Sequence, residues 1–194
     1  MLFYLQNFIG VYTTMKWAKS GLIMISFVAA SSITGCSIFG GLDDAQEASA
    51  TYLNSFFAKS DKPSAEQRYQ KIVTVVSTSN QEFSAKPQYK ADILKAIQKF
   101  MISGVSRPYY LADYLKEPHT DTRKSIIIRF PKGTFAEANK AFAENEPDKE
   151  AYRMVVVNKE GEDWKIVQVK EIDKKDIILN NIDWIEVEPT DYLD

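Results

Sequence analysis

Near residue 104 the hydrophobic pattern of this chain changes period, and that change narrows the folds open to it more than any other feature. Before Gly104, apolar and small residues recur at helical spacing: Ala45, Ala48, Tyr52 and Phe56, then Tyr69, Ile72, Val73 and Val76, then Ile93, Ala96, Ile97, Phe100 and Met101. After it, short β-branched runs take over, "SIIIRF" over 125–130, "AYRMVVV" from Ala151 and "WKIVQVKEI" from Trp164. Helices first and antiparallel strands afterwards predict an α+β domain.

Local signals refine this order. Asp44-Ala-Gln-Glu47 and Ser64-Ala-Glu-Gln67 read as capping boxes, so helices are expected from Asp44 toward Lys59 and from Ser64 toward Val76. β-branched residues weaken the second. A third helix is expected over Lys90–Ile102, with Ser103-Gly104 as its stop. Pro131-Lys-Gly133 predicts a turn, and Thr134-Phe-Ala-Glu137 the cap of a short helix through Ala143. Asn158–Asp163 reads as a hairpin loop, after which alternation puts Trp164 and Ile166 on one face and Val167 and Val169 on the other. Trp164 is expected to be the buried anchor of that hairpin. The patch "IILNNIDWIEV" then adds a strand or wraps the sheet before the acidic tail "EPTDYLD". The pattern does not define strands between Gly104 and Ser125.

The single cysteine, Cys36, stands in a different context. Gly21–Ser32 is an uncharged, largely apolar run, Lys16 and Lys19 precede it, and Ile33-Thr-Gly35 lead into the thiol. Positive, apolar, small, cysteine is the order of an export signal. The apolar run is shorter than the ~20 residues of a bilayer span, and lengthening it backward would place both lysines inside it. A buried structural cysteine would leave the flanking order unexplained. Residues 1–14 are either an upstream start, with Met15 the true one, or a longer n-region.

Ile33-Thr-Gly-Cys36 resembles the lipobox of bacterial lipoproteins. The resemblance implies cleavage between Gly35 and Cys36, a diacylglycerol on the Cys36 thiol and a fatty acyl group, palmitate for example, on the new amine. It divides the chain into a signal peptide (1–35), a lipidated tether (36–42) and one α+β domain (43–194) that ends in the acidic tail. In a Gram-negative cell, Ser37 resembles the residue type sent on to the outer membrane, where the domain would face the periplasm.

Without residues 1–35, which carry two lysines and no acids, 159 residues remain with a net charge of −4. That length is one domain with a core of its own. The charge argues against a nucleic-acid partner, which needs clustered bases. With its only cysteine lipidated, the mature chain has no disulfide and no thiolate metal site, so its fold rests on packing.

Chemistry-bearing motifs are sparse. The only histidine, His119, lies two residues before Asp121, so a dyad or metal pair is conceivable, but no second ligand set has recognisable spacing, and a solvated loop histidine is the simpler reading. There is no calcium loop, no nucleophile elbow and no phosphate-cradling loop. Neither an enzyme, a metal nor a cofactor is expected. "SRPYYLADYLKEP" is the unusual internal segment: Tyr109, Tyr110, Asp113 and Tyr114 either line a pocket or partner surface, or cover the helix-to-sheet junction of an ordinary core.

The helix-then-sheet order and the closing "EDWKIVQV", whose tryptophan follows a charged loop, resemble the NTF2-like (cystatin-like) α+β cone; another helix-plus-antiparallel-sheet sandwich is the alternative. The two resemblances together imply a membrane-anchored accessory binding or assembly subunit of an envelope complex, with an envelope protein as partner. A small-ligand binder using an NTF2-like pocket is the alternative.

Overall fold

The computed structural model describes residues 41–78, 80, 86–114, 119–141, 149–177 and 182–193. Residues 1–40, with Gly35, Cys36 and the run expected to be an export signal, lie outside the described residues. Among the described residues, no helix is long and apolar enough to cross a membrane.

Helix α1 spans Asp44–Phe57, and its cap sits one residue earlier than the sequence suggests. Asp43 Oδ1 accepts from the amides of Ala45 and Gln46 at 2.9 and 3.0 Å, and Gln46 Oε1 accepts from the Asp43 amide at 3.1 Å. Both Asp43 and Asp44 are suited to the role. Distant partners favour Asp43: its second oxygen meets Lys124 Nζ at 2.6 Å, and the Gln46 amide reaches Asp113 at 3.0 Å.

Helix α2, Ala65–Val75, carries the Ser64–Gln67 box as expected and buries Arg68, Tyr69 and Ile72. Helix α3, Pro87–Ser103, begins earlier than the apolar stripe because Pro87 occupies its first turn, where a missing N–H costs nothing. It stops at Gly104, whose φ of −80° lies outside the left-handed region. The glycine serves close approach, since a Cβ there would strike the carbonyl oxygens of Phe57 and Phe100.

Five antiparallel strands follow: β1 (Tyr109–Asp113), β2 (Arg123–Phe130), β3 (Ala151–Glu160), β4 (Asp163–Glu171) and β5 (Ile185–Val187), in the order β4-β3-β2-β1-β5. The sheet is open. A short helix α4, Ala136–Ala141, separates β2 from β3. The Thr134 hydroxyl donates to the Pro131 carbonyl at 2.6 Å, closing the Pro131–Gly133 turn. The expected end of this helix at Ala143 lies outside the described residues.

The β3–β4 hairpin turns on Gly161-Glu162, with Gly161 at φ +68°, the first central position where a II′ turn takes glycine. One expectation fails in β4. Val156 pairs with Gln168 but Val157 with Ile166, so Val167 is an extra residue in a bulge. The bulge returns Val169 to the face of Trp164 and Ile166, where it packs on the core.

That core fills the helix-facing side: Leu111, Ile126, Ile128, Val155, Val157 and Ile166 are fully buried under α1–α3. Rings of Phe56, Phe57, Phe100, Phe130, Phe135 and Tyr109, with successive centroids 4.9–5.9 Å apart, tie the C-terminal ends of α1 and α3 to β1 and β2. Trp164 is half-buried, with Lys124 Nζ 5.6 Å from its ring centre. It therefore supports the core without being sealed in it. Trp164→Ala is expected to cost about 1–3 kcal/mol, below the ~3–5 kcal/mol of a fully buried aromatic, read as a lower urea midpoint at unchanged slope.

The opposite face carries a second, smaller cluster. Ala112, Tyr114, Ile127, Tyr152 and Met154 are buried together with Ile177, and Ile172, Ile182 and Trp184 pack against them. Of the patch "IILNNIDWIEV", expected to add a strand or wrap the sheet, Ile177, Ile182 and Trp184 pack on this outer face and Ile185–Val187 form β5, while residues 178–181 lie outside the described residues.

Candidate functional site

Strand alternation divides the tyrosine-rich segment between the two faces. Tyr109 points into the helix-facing core, 1% exposed, and its hydroxyl donates to Asn54 Oδ1 at 2.9 Å. Burial raises its pKa well above the usual tyrosine value, with Asp191 adding to the shift. Asn54 in turn donates to the carbonyls of Glu188 and Asp191 at 2.9 and 2.7 Å, so Tyr109 belongs to a clamp on the C-terminal tail. Asp113 also lies on the helix side, accepting from Gln46. Tyr110 and Tyr114 are on the outer face.

His119 pairs with Asp113 rather than Asp121, Nδ1 standing 3.8 Å from Asp113 Oδ2. Its Nε2 accepts the Ser125 amide at 3.3 Å, and the side chain is only 19% exposed. It is thus a half-buried residue fixing the 119–125 turn, and the solvated-loop reading is corrected. Both ring nitrogens face protein groups, the Ser125 amide on one side and the Asp113 carboxylate on the other. No cluster of three metal-ligating side chains exists among the described residues.

The outer face carries the most organised polar constellation. Arg129, on β2, lies between two rings, 5.3 Å from the centre of Tyr110 and 6.0 Å from that of Trp184. Its Nε donates to Glu150 Oε1 at 2.8 Å, and Lys174 Nζ meets Glu150 Oε2 at 2.9 Å. The register explains the grouping: Tyr110 pairs with Arg129, and Arg129 with Tyr152, across three strands. Burial opposes the charge of Glu150, but hydrogen bonds from Lys174, Arg129 and Tyr152 outweigh it and pull its carboxyl down to about 2. Burial, then the bond to Glu150, pushes Tyr152 up to about 12. The bond to Glu186 raises Tyr110. The guanidinium is fixed in direction by this network while 37% of its side chain stays exposed. An oriented, stacked arginine of this kind loses little freedom on meeting a carboxylate or a carbonyl.

The Glu150 network should register in acid. The folded-state pKa is depressed, so its contribution is complete above the ordinary value of 4.5 and is lost as pH falls toward about 2. Glu150→Gln is expected to flatten the acid limb of a stability–pH profile over that window, removing about 1–2 kcal/mol after solvent screening. Thermal melts of both proteins between those pH values check it, and parallel acid limbs would contradict the assignment.

Beside this network lies an open cleft of about 620 Å³. Tyr114, Met154 and Ile172 supply its apolar lining, and Lys170, Glu171, Asp173 and Asp176 its charged rim. The Tyr114 hydroxyl donates to the Asp176 carbonyl at 3.1 Å, which holds the 172–177 segment across the sheet.

Sequence reasoning singled out Tyr110 and Tyr114 but missed Arg129, Glu150 and Trp184, which come from three separate segments. The one local signal was the charge of Arg129 directly after the apolar run Ile126–Ile128 of β2. No protein-family model, curated protein or solved structure matches this chain.

Proposed function

We propose that this chain is a membrane-anchored bacterial lipoprotein, attached through Cys36, that acts as an accessory binding or assembly subunit of an envelope complex and has no catalytic role of its own. The observation that carries the docking role is Arg129, oriented by Glu150 and stacked between Tyr110 and Trp184 on a sheet face turned away from the helices. Aromatic residues and arginine are the side chains that dominate binding energy at protein interfaces. The order Ile33-Thr-Gly-Cys36 after an uncharged run supports the anchor, and Ser37 supports delivery to the outer membrane of a Gram-negative cell. Within α+β, an NTF2-like cone is the finer reading, supported by three helices ahead of an antiparallel sheet and by Trp164 opening the last long strand.

Small-ligand binding is the second reading, favoured by the outer cleft, whose volume is within the ~300–1,000 Å³ of ligand sites although it is open to solvent. A photo-crosslinking residue placed at Glu186, beside the arginine, separates the two. In native envelopes it should join the wild-type chain to one stoichiometric protein, and Arg129→Ala should abolish that adduct. An adduct indifferent to Arg129→Ala would defeat the docking role, and a co-purifying small molecule displaced by Met154→Trp would transfer the function to the cleft. Intact mass on the same sample should show loss of residues 1–35 and added acyl mass, with Cys36→Ser left unprocessed.

A further inference from the structure

Asp43, the first capping residue of α1, holds Lys124 at the start of β2, and Gln46 holds Asp113 at the end of β1. The chain therefore joins the domain at the end of the sheet that carries the β3–β4 turn. Lys124 pairs with Val157, and the Lys159 amide donates to the Thr122 carbonyl, so the 119–122 turn and the Gly161-Glu162 tip share this end. The opposite end carries the Pro131–Gly133 turn, Arg129 and Glu150. Between the two runs α1, 14 residues or about 21 Å long at 1.5 Å per residue.

We infer that the hairpin end is the bilayer-apposed surface of the domain, and that the arginine-bearing end is presented to partners standing off the membrane. The inference rests on lipidation of Cys36. Leu42 is already seated in the core at 9% exposure, so the chain that joins Cys36 to the domain is Ser37–Gly41, a leash that can reach no further than roughly 18 Å. Turning the domain over would require that leash to run the length of α1 and past both turns, which it cannot do. Electrostatics gives this end no net attraction for anionic headgroups, because among the described residues its acids, Asp43, Asp44, Asp121, Glu160, Glu162 and Asp163, outnumber its bases, Arg123, Lys124, Lys159 and Lys165. The leash alone brings it to the surface, which leaves the arginine end free.

Once Cys36 is acylated, an introduced cysteine is the only free thiol, so position can be read by fluorescence. Glu162, with a 99% exposed side chain, and Lys132, exposed in the turn after β2, mark the two ends. The full lipidated chain bearing Glu162→Cys or Lys132→Cys is labelled and reconstituted in phosphatidylethanolamine–phosphatidylglycerol vesicles with a headgroup-linked quencher. Quenching several-fold stronger at position 162 is expected, unchanged when the anionic lipid is omitted. Equal quenching, or stronger quenching at 132, would overturn the orientation; a marked fall on omitting anionic lipid would overturn the leash-only attachment. Absence of acyl mass on Cys36 would remove the lipoprotein reading and the orientation together, whereas acylated protein with reversed quenching would remove the orientation alone.

Discussion

Arg68→Met is expected to lower the urea midpoint by about 2 M, corresponding to roughly 4 kcal/mol at a slope of ~2 kcal/mol per M. Arg68 is fully buried in α2, and its guanidinium donates to four backbone carbonyls of the α1–α2 connection: Nε to Pro63 at 3.1 Å, Nη1 to Ala58 at 2.8 Å, and Nη2 to Ser60 and Lys62 at 2.8 and 3.2 Å. Burial lowers its pKa, yet an arginine remains charged at any physiological pH. The carbonyls are left with inward-facing lone pairs when it is removed, each costing ~1–3 kcal/mol if water does not replace the donor. A planar fork is needed to reach four acceptors at once, so Arg68→Lys should recover about half of the loss, since one ammonium has three donors. A midpoint shift below about 0.5 M for Arg68→Met would show that the connection holds its shape without the clamp.

Gly104→Ala is expected to destabilise by about 3 kcal/mol or more. The new Cβ would collide with the carbonyl oxygens of Phe57 and Phe100. Both oxygens are already engaged, Phe57 accepting from the Val105 amide and Phe100 from the Gly104 amide, each at 2.7 Å. Neither atom is the flexible end of a side chain, so relief means separating α1 from the C-terminal end of α3 and breaking the bridge between Ala58 and Val105. The aromatic cluster beside that bridge would open with it. Circular dichroism melts of the variant should show a large fall in Tm; a melt within a few degrees of wild type would mean that the two chain segments part easily.

Much of the helical layer was legible because its signals are local. The Ser64–Gln67 box and the stripe of α3 need only neighbours within a turn or two. The strand runs of β2, β3 and β4 were legible for a similar reason, as was the hairpin around Gly161. β1 was not, because Tyr109–Asp113 is short and mixed in character; without a strand there, nothing in the sequence sends Tyr109 inward and Tyr110 outward.

What the sequence by itself determined is the α+β order and the places where most helices begin, both of which follow from periodicity and short-range hydrogen bonding. Tertiary structure decided the rest. Asp43 caps α1 instead of Asp44 because Lys124, 81 positions away, takes its other oxygen. Val169 joins the core because pairing with β3 accommodates one extra residue at Val167. Gly104, which the sequence marks only as a helix stop, is required for contact between backbones. Arg129 is held in one direction only when strand register sets Tyr110 beside it and the C-terminal segment brings Trp184 across the same face. Each of these depends on which distant groups share a few ångströms, and that information resides in the packing of the chain as a whole.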